Sequence, residues 1–135
     1  EWALPVVPVD FLACVACVPA CDEALLYATL MPRGRGQAEI GFLSRPVARG
    51  RGLAQDALGL LLDHGFGPLG LRRIFADTDP DNAGANRLLG ALGFTLEGRL
   101  RETWETHIGL RDSHIWGLLR REWRHPRLDP TPESA

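Results

Sequence analysis

The chain contains no lysine: all 15 of its basic residues are arginine, set against 17 acidic residues for a net charge of -2. Such a balance argues against a nucleic-acid platform, which shows a basic excess. Long apolar runs are missing as well, and none approaches the ~20 residues that a membrane span requires. Cysteine is scarce, with three thiols at Cys14, Cys17 and Cys21. A structural zinc site takes four ligands, there is no fourth cysteine, and His64, His107, His114 and His125 show no paired ligand spacing. No metal is expected. A redox C-x-x-C sits at a helix start, whereas Cys14 and Cys17 fall in a run that reads as a continuous strand. The thiols therefore read as small buried apolar groups, and their odd number fits a reducing compartment.

What is present is the composition of one folded domain: 135 residues, 45% hydrophobic and 24% charged. That is enough to bury a core and too apolar for disorder. A single domain is expected over residues 1–123, followed by a polar, proline-rich flexible tail over 124–135. Phe11–Cys21 imitates a secretion signal, but Glu1 and Asp10 precede it and no arginine does, where a signal carries positive charge. A cytoplasmic protein is expected. Glu1 in the place of a methionine suggests a trimmed or partial chain.

Residues 1–9 read as irregular. Leu25–Met31 reads as a buried strand and Ala38–Ser44 as a second, joined through Arg33-Gly34-Arg35-Gly36 into an antiparallel hairpin. Leu53–Phe66 has helical periodicity, with Leu53, Ala57, Leu60 and Leu61 on one face. Gly65, Gly67, Pro68 and Gly70 end it. Ile74–Thr78 is a strand closed by Asp79-Pro80. The next helix, capped by Asp81 or Asn82, offers Ala85, Leu88, Leu89 and Leu92 to the core. Gly93 stops it in a left-handed conformation with Phe94 folding back. Thr95–Glu105 and Ser113–Arg120 are further strands, with Thr106–Asp112 as their loop. A right-handed crossover lays Ala38–Ser44 and Ile74–Thr78 side by side in parallel, giving a mixed α/β (α+β) sheet.

The segment between the second strand and the first helix carries the chemistry: Arg45-Pro46-Val47-Ala48-Arg49-Gly50-Arg51-Gly52-Leu53-Ala54. A glycine-rich turn entering a helix leaves its first N–H groups unpaired, and with the helix dipole they attract an anion. Glycine lets backbone approach a phosphate without a Cβ in the way, and Arg49 and Arg51 add charge. A Walker loop needs a lysine that the chain lacks, and a dinucleotide fingerprint needs a third glycine where Gln55 stands. A tight strand-to-helix turn without any ligand would use the same residues.

Arg49-Gly50-Arg51-Gly52-Leu53-Ala54 resembles the Q/R-x-x-G-x-G/A signature of the GNAT N-acetyltransferase superfamily. Ala38-Glu39-Ile40-Gly41-Phe42 looks like that family's fourth strand, and Asn82 to Phe94 (NAGANRLLGALGF) is similar to its N-x-x-S-N…L-G-F helix. That helix, Glu97-Gly98 and Asp112–Trp123 resemble the branch that acetylates ribosomal-protein N-termini and related small amines. The resemblance covers about residues 25–123.

It implies a GNAT-like mixed sheet with splayed parallel strands, flanking helices and a shortened N-terminal part. Acetyl-CoA would be the donor, with its pyrophosphate on the N–H groups of Arg49, Gly50, Arg51, Gly52, Leu53 and Ala54. The pantetheine arm would lie between the two parallel strands and pair with backbone of Phe42, Leu43 and Ser44 as a missing strand would. One of those amides would steady the oxyanion. Asn82 would bond the pantetheine or cap its helix. The acceptor is a primary amine, a small molecule or a protein N-terminus, attacking the thioester directly. An α-amino group has a pKa of about 7.7–8.0, so a base must take its proton. Glu39 falls where many members carry that base; Glu102 and Glu105 are weaker candidates.

Two departures stand out. The family's tyrosine acid has no counterpart near the chain's end, since Tyr27 precedes the cofactor motif, and Ala85 stands where the ribosomal branch has serine. Ser113 or His114 would have to substitute. Residues 1–24 are also short for the strand and two helices that wall the acceptor site, a wall that a homodimer would close. No nucleic-acid or membrane partner is expected. The alternative reading is a catalytically weak acyl-CoA-binding regulatory module; a third is a phosphate-binding interaction domain without CoA.

Overall fold

The computed structural model describes residues 2–3, 12–18, 23–44 and 53–124. In chain order these form β1 (Trp2–Ala3), β2 (Leu12–Val18), β3 (Glu23–Gly34), β4 (Gln37–Ser44), α1 (Leu53–Phe66), β5 (Arg73–Thr78), α2 (Ala83–Ala91), β6 (Thr95–Thr106) and β7 (Gly109–Leu119). A single 3-10 turn, Arg120–Glu122, follows. The strands make one seven-stranded sheet in the order β1-β2-β3-β4-β5-β7-β6. Only β4 and β5 run parallel; every other neighbouring pair is antiparallel. The mixed α/β class and the α1 crossover are as the residues imply. The C-x-x-C stretch is indeed strand, in β2, while Trp2–Ala3, within a stretch read as irregular, pairs with it as β1.

Alternation along the strands builds one apolar face. Ala28 and Leu30 of β3, Ala38 and Ile40 of β4, Ile74 and Ala76 of β5 and Leu118 of β7 are each at most 2% exposed. Over them lies α1, burying Ala57, Leu58, Leu61 and Leu62 completely. Each such leucine is worth roughly 1.5–3 kcal/mol of burial. The buried stripe is rotated from the expected one: Leu58 and Leu62 replace Leu60, which is half-buried. The turn is set by Gly65, where an added Cβ would lie 2.9 Å from both Ile74 and Leu30 side-chain atoms, so that residue must be small for α1 to sit on β3 and β5.

Arg35 and Gly36 form the two-residue β3–β4 turn with φ of 58° and 77°. Both central residues left-handed is the geometry whose twist suits a hairpin. α2 stops as expected: Gly93 has φ 96°, and the Phe94 N–H donates to Leu89 O at 3.0 Å with Phe94 buried behind it. The β6–β7 connection is a correction. It is a two-residue turn, His107-Ile108, with Thr106 paired to Gly109, so Gly109–Asp112 belong to β7 rather than to a loop. Gly109 at φ 109° and the Thr106 hydroxyl, which donates to Gly109 O and accepts from the Ile108 N–H, close the chain tightly where polar residues read as an open loop. The expected tail lies outside the described residues from 125 onward, whereas Trp123 before it is buried and donates its indole N–H to Asp63 on α1 at 2.8 Å.

Candidate active site

β4 has eight residues and β5 six, yet they pair at only three positions: Gln37 with Arg73, Ala38 with Ile74 and Glu39 with Phe75. Beyond that point β4 continues through Ile40–Ser44 against β3 alone, and β5 continues through Ala76–Thr78 against β7 alone. The strands part at the sheet's centre. At a rise of about 3.3 Å per residue, five residues give a β4 edge of roughly 16 Å with no strand beside it among the described residues.

Side chains hold the end of β5 on the β7 and α2 side of the opening. Arg111 of β7 donates from Nε and NH2 to the two carboxylate oxygens of Asp79, both at 2.8 Å, and from NH2 to Asp81 at 2.6 Å. Bidentate pairing of this kind fixes direction as well as distance. The guanidinium first, and then the Asp81 N–H, lower the Asp79 pKa to about 2, and the Asp79 carboxylate, ahead of that of Asp81, raises the pKa of Arg111. On the helix side Asn86 of α2 completes the anchor. Its Nδ2 donates to the carbonyls of Asp79, Pro80 and Asn82. Its Oδ1 accepts from the Thr78 hydroxyl at 2.6 Å and the Trp116 indole at 3.0 Å. Asn86 was visible in the sequence as part of a family helix, but nothing there marked it as the organiser of the β5–α2 turn.

Asn82 caps α2, its Oδ1 accepting from the Ala85 N–H at 3.1 Å. Of the two roles the residue admitted, capping is the one the geometry displays, and its Nδ2 donors have no partner among the described residues. Phe42 is half-buried against the core, and Leu43 is 75% exposed; with Ser44 they end β4 on the open edge. Leu53 and Ala54 begin α1. Arg49, Gly50, Arg51 and Gly52 lie outside the described residues.

Glu39 points to the sheet face opposite α1, between the buried Ala38 and Ile40 in sequence. It is the last β4 residue paired to β5, so its carboxylate stands where the gap begins. Oε1 accepts from Arg33 NH2 at 2.7 Å, and Oε2 has no partner among the described residues. The same face carries Gly41, and among the described residues Thr29 Oγ1 is the sole neighbour within 4 Å of a Cβ built there. Tyr27, although it precedes the cofactor motif in the chain, is Cα-paired with Leu43 and 49% exposed on this face.

The two candidate acids separate. Ser113 is fully buried and shares a hydrogen bond with the Thr103 hydroxyl. His114, the next residue, is paired with Thr78 on the helix face, where its Nδ1 is buried without a partner among the described residues. Glu102 sits in a bulge of β6, left-handed at φ 53°, with its N–H bonded to Asp112 at 2.8 Å. That N–H, ahead of Arg99, lowers the Asp112 pKa. Glu102 and Glu105 are exposed and lie on β6, separated from the gap by β7 and β5.

A sheet opened between its two parallel strands, with a helix entering beside the opening, defines the class. Residues 12–95 match the model of the acetyltransferase (GNAT) domain, and the chain belongs to that family. It is 36% identical over 94 residues to the protein named Uncharacterized N-acetyltransferase p20 of Bacillus licheniformis, covering 70% of this chain and 53% of that one. Over 64 residues it is 36% identical to spermidine N(1)-acetyltransferase of Escherichia coli K12, covering 47% and 34% of the two chains. Mycobacterium smegmatis RimJ, solved in complex with CoA-disulfide, superposes with a TM-score of 0.76 at 28% identity over 84% of this chain and 55% of that one. The chain spans about half the length of the curated relatives it matches. Among the described residues no helix is long and apolar enough to cross a membrane.

Proposed function

We propose that this domain, spanning residues 1–123 and acting in the cytoplasm, transfers an acetyl group from acetyl-CoA to a primary amine, small molecule or protein N-terminus. The observation that carries the reading is the parting of β4 and β5 after three paired positions. Unpaired backbone in a sheet interior demands a partner, and the pantetheine arm of CoA bears amides that pair with an extended edge as a strand does. Phe42, Leu43 and Ser44 supply that edge, and the start of α1 with Arg49–Gly52 supplies the diphosphate site. The CoA complex of RimJ supports the same choice of donor.

In the reaction the acceptor ammonium gives a proton to Glu39 Oε2. The amine nitrogen then bonds to the acetyl carbon, its second proton passes to solvent, and the carbon–sulfur bond breaks as the carbonyl re-forms. CoA leaves as a thiolate, with an ordinary thiol pKa near 8.5, and takes a proton from solvent. No side-chain acid is required for balance.

The test joins CoA titration by calorimetry to thiol release from acetyl-CoA across a panel of amines. Binding together with turnover supports the reading; binding without thiol release returns the protein to a non-catalytic acyl-CoA module. Gly52→Asp should abolish CoA binding by setting a carboxylate among the phosphates, and unchanged affinity would remove the diphosphate site. Glu39→Gln should slow turnover at neutral pH while leaving CoA affinity intact. A parental pH–rate profile in that variant would take Glu39 out of the mechanism.

A further inference from the structure

The gap has a second wall that the reaction as described does not use. On the face that carries Glu39, β5 presents Arg73, Phe75 and Asp77 in alternation, opposite the buried Ile74 and Ala76. Phe75 is the register partner of Glu39, so Asp77 lies one side-chain position further along, about 6–7 Å at the strand rise. At that point β4 has parted, and extending the register by two residues would set Asp77 against Gly41, which has no side chain. Asp77 therefore borders the gap.

Its carboxylate is aimed by a neighbour from the far edge of the sheet. Trp104 of β6 donates its indole N–H to Asp77 Oδ1 at 3.2 Å, while the indole itself stays 52% exposed. Oδ2 has no partner among the described residues. A carboxylate held in place by an indole N–H, with its second oxygen unclaimed among the described residues, receives an alkylammonium through a charge-assisted hydrogen bond. The arginines that register places on this face are already engaged. Arg33 is bound to Glu39, Arg73 to both oxygens of Glu97, and Arg111 to Asp79 and Asp81. Among the described residues, the arginines that register places on this face leave a seat for a cation and no unclaimed one for an anion.

Resting on the acetyl-transfer reading, we infer that Asp77 and Trp104 form the ammonium-binding subsite of the acceptor pocket, and that the acceptor is an amine with no free carboxylate beside it. The ammonium docks on Asp77 Oδ2, which the Trp104 indole N–H orients through Oδ1, before Glu39 takes its proton. An amidated or alkyl amine fits; a zwitterionic amino acid would bring its carboxylate against Asp77 and Glu39 with no counter-cation among these arginines.

The experiment uses the full chain with butylamine, glycinamide and glycine as probes. With acetyl-CoA, glycinamide should show a kcat/KM at least about a hundredfold above that of glycine, both compared as free amine. Asp77→Asn should raise the KM for butylamine about ten- to a hundredfold, the loss of a charged hydrogen bond, with kcat and CoA affinity little changed. In parallel, the indole N–H resonance of Trp104, assigned by its loss in Trp104→Phe, should shift on titration with butylamine hydrochloride in the presence of CoA, and not in Asp77→Asn. Turnover with an unchanged KM in Asp77→Asn, or equal use of glycine, overturns the subsite and spares acetyl transfer. A shift without turnover upholds the subsite and overturns acetyl transfer. No shift overturns the subsite whatever the turnover.

Discussion

Truncating Asn86 to alanine should remove the anchor that holds the end of β5, and the structure sets the scale of the loss. One side chain serves five partners: carbonyls of Asp79, Pro80 and Asn82, the Thr78 hydroxyl and the Trp116 indole. The Asn82 carbonyl is exposed and those of Asp79 and Pro80 part-buried, and each keeps a second lone pair for water, so each counts for less. Thr78 and Trp116 are part-buried and lose their acceptor outright, at about 1–3 kcal/mol for each group left unsatisfied. Some relaxation toward water is available to both, which places the total near 2–4 kcal/mol. At roughly 3–5 °C per kcal/mol for a domain of this size, the melting midpoint should fall by about 6–20 °C. Urea titration followed by tryptophan fluorescence reads the same loss as a lower midpoint at constant slope. Asn86→Asp sharpens the test. It keeps an acceptor for Thr78 and Trp116 but sets a carboxylate against three carbonyls, so it should also destabilise. A change below 0.5 kcal/mol in Asn86→Ala would refute the claim that this residue organises the turn.

Two glycines should respond oppositely to alanine. Gly65→Ala puts a methyl 2.9 Å from Ile74 and Leu30 and should cost about 1–3 kcal/mol by overpacking; Gly90→Ala, on the exposed side of α2 with no atom within 4 Å, should stabilise by about 0.4–1 kcal/mol. Urea midpoints of the pair check both signs. Acid should also loosen the gap's rim. The Asp79 carboxyl is depressed to about 2 in the fold from an ordinary value near 3.9, so its contribution is complete above about pH 4 and is lost as pH falls toward 2. Arg111→Met should therefore show a shallower loss of stability than the parent chain across that window, measured by urea midpoints at stepped pH; parallel curves would remove the Arg111–Asp79 pair as the cause.

Legibility followed range. α1 runs Leu53–Phe66 as its apolar spacing and trailing glycines dictate, and Gly93 ends α2 where a left-handed residue was called for, because both signals are local. The β6–β7 turn was misread for the same reason in reverse. Thr106, His107 and Gly109 look like loop residues singly, and the bond from the Thr106 side chain that makes them a tight turn is a matter of geometry. The gap itself was visible through family likeness alone. The bond that holds its rim, Arg111 reaching Asp79 across 32 residues, has no local signature. Tyr27 and Asp77 were passed over because position along the chain says nothing of which strand edge a residue faces until the register is known.

The two sides of the site meet in two adjacent residues. Thr78 faces the helices and bonds Asn86; Asp77 faces the opposite side and accepts from Trp104. Strand alternation sends neighbours to opposite faces, so one strand end is gripped from α2 on the helix face and from β6 on the opposite face, and from β4 on neither. That balance explains why the sheet does not simply zip shut. Closing the gap would give β4 and β5 a few more backbone bonds, each worth about 0.5–1.5 kcal/mol net. It would strain or break the five bonds of Asn86, the Arg111–Asp79 fork and the Trp104–Asp77 bond. The larger set wins, and the β4 edge keeps its backbone groups for a partner that can enter and leave. An open edge of this kind suits a transient ligand better than a permanent strand, because the scaffold on either side has nothing to rearrange when the ligand departs.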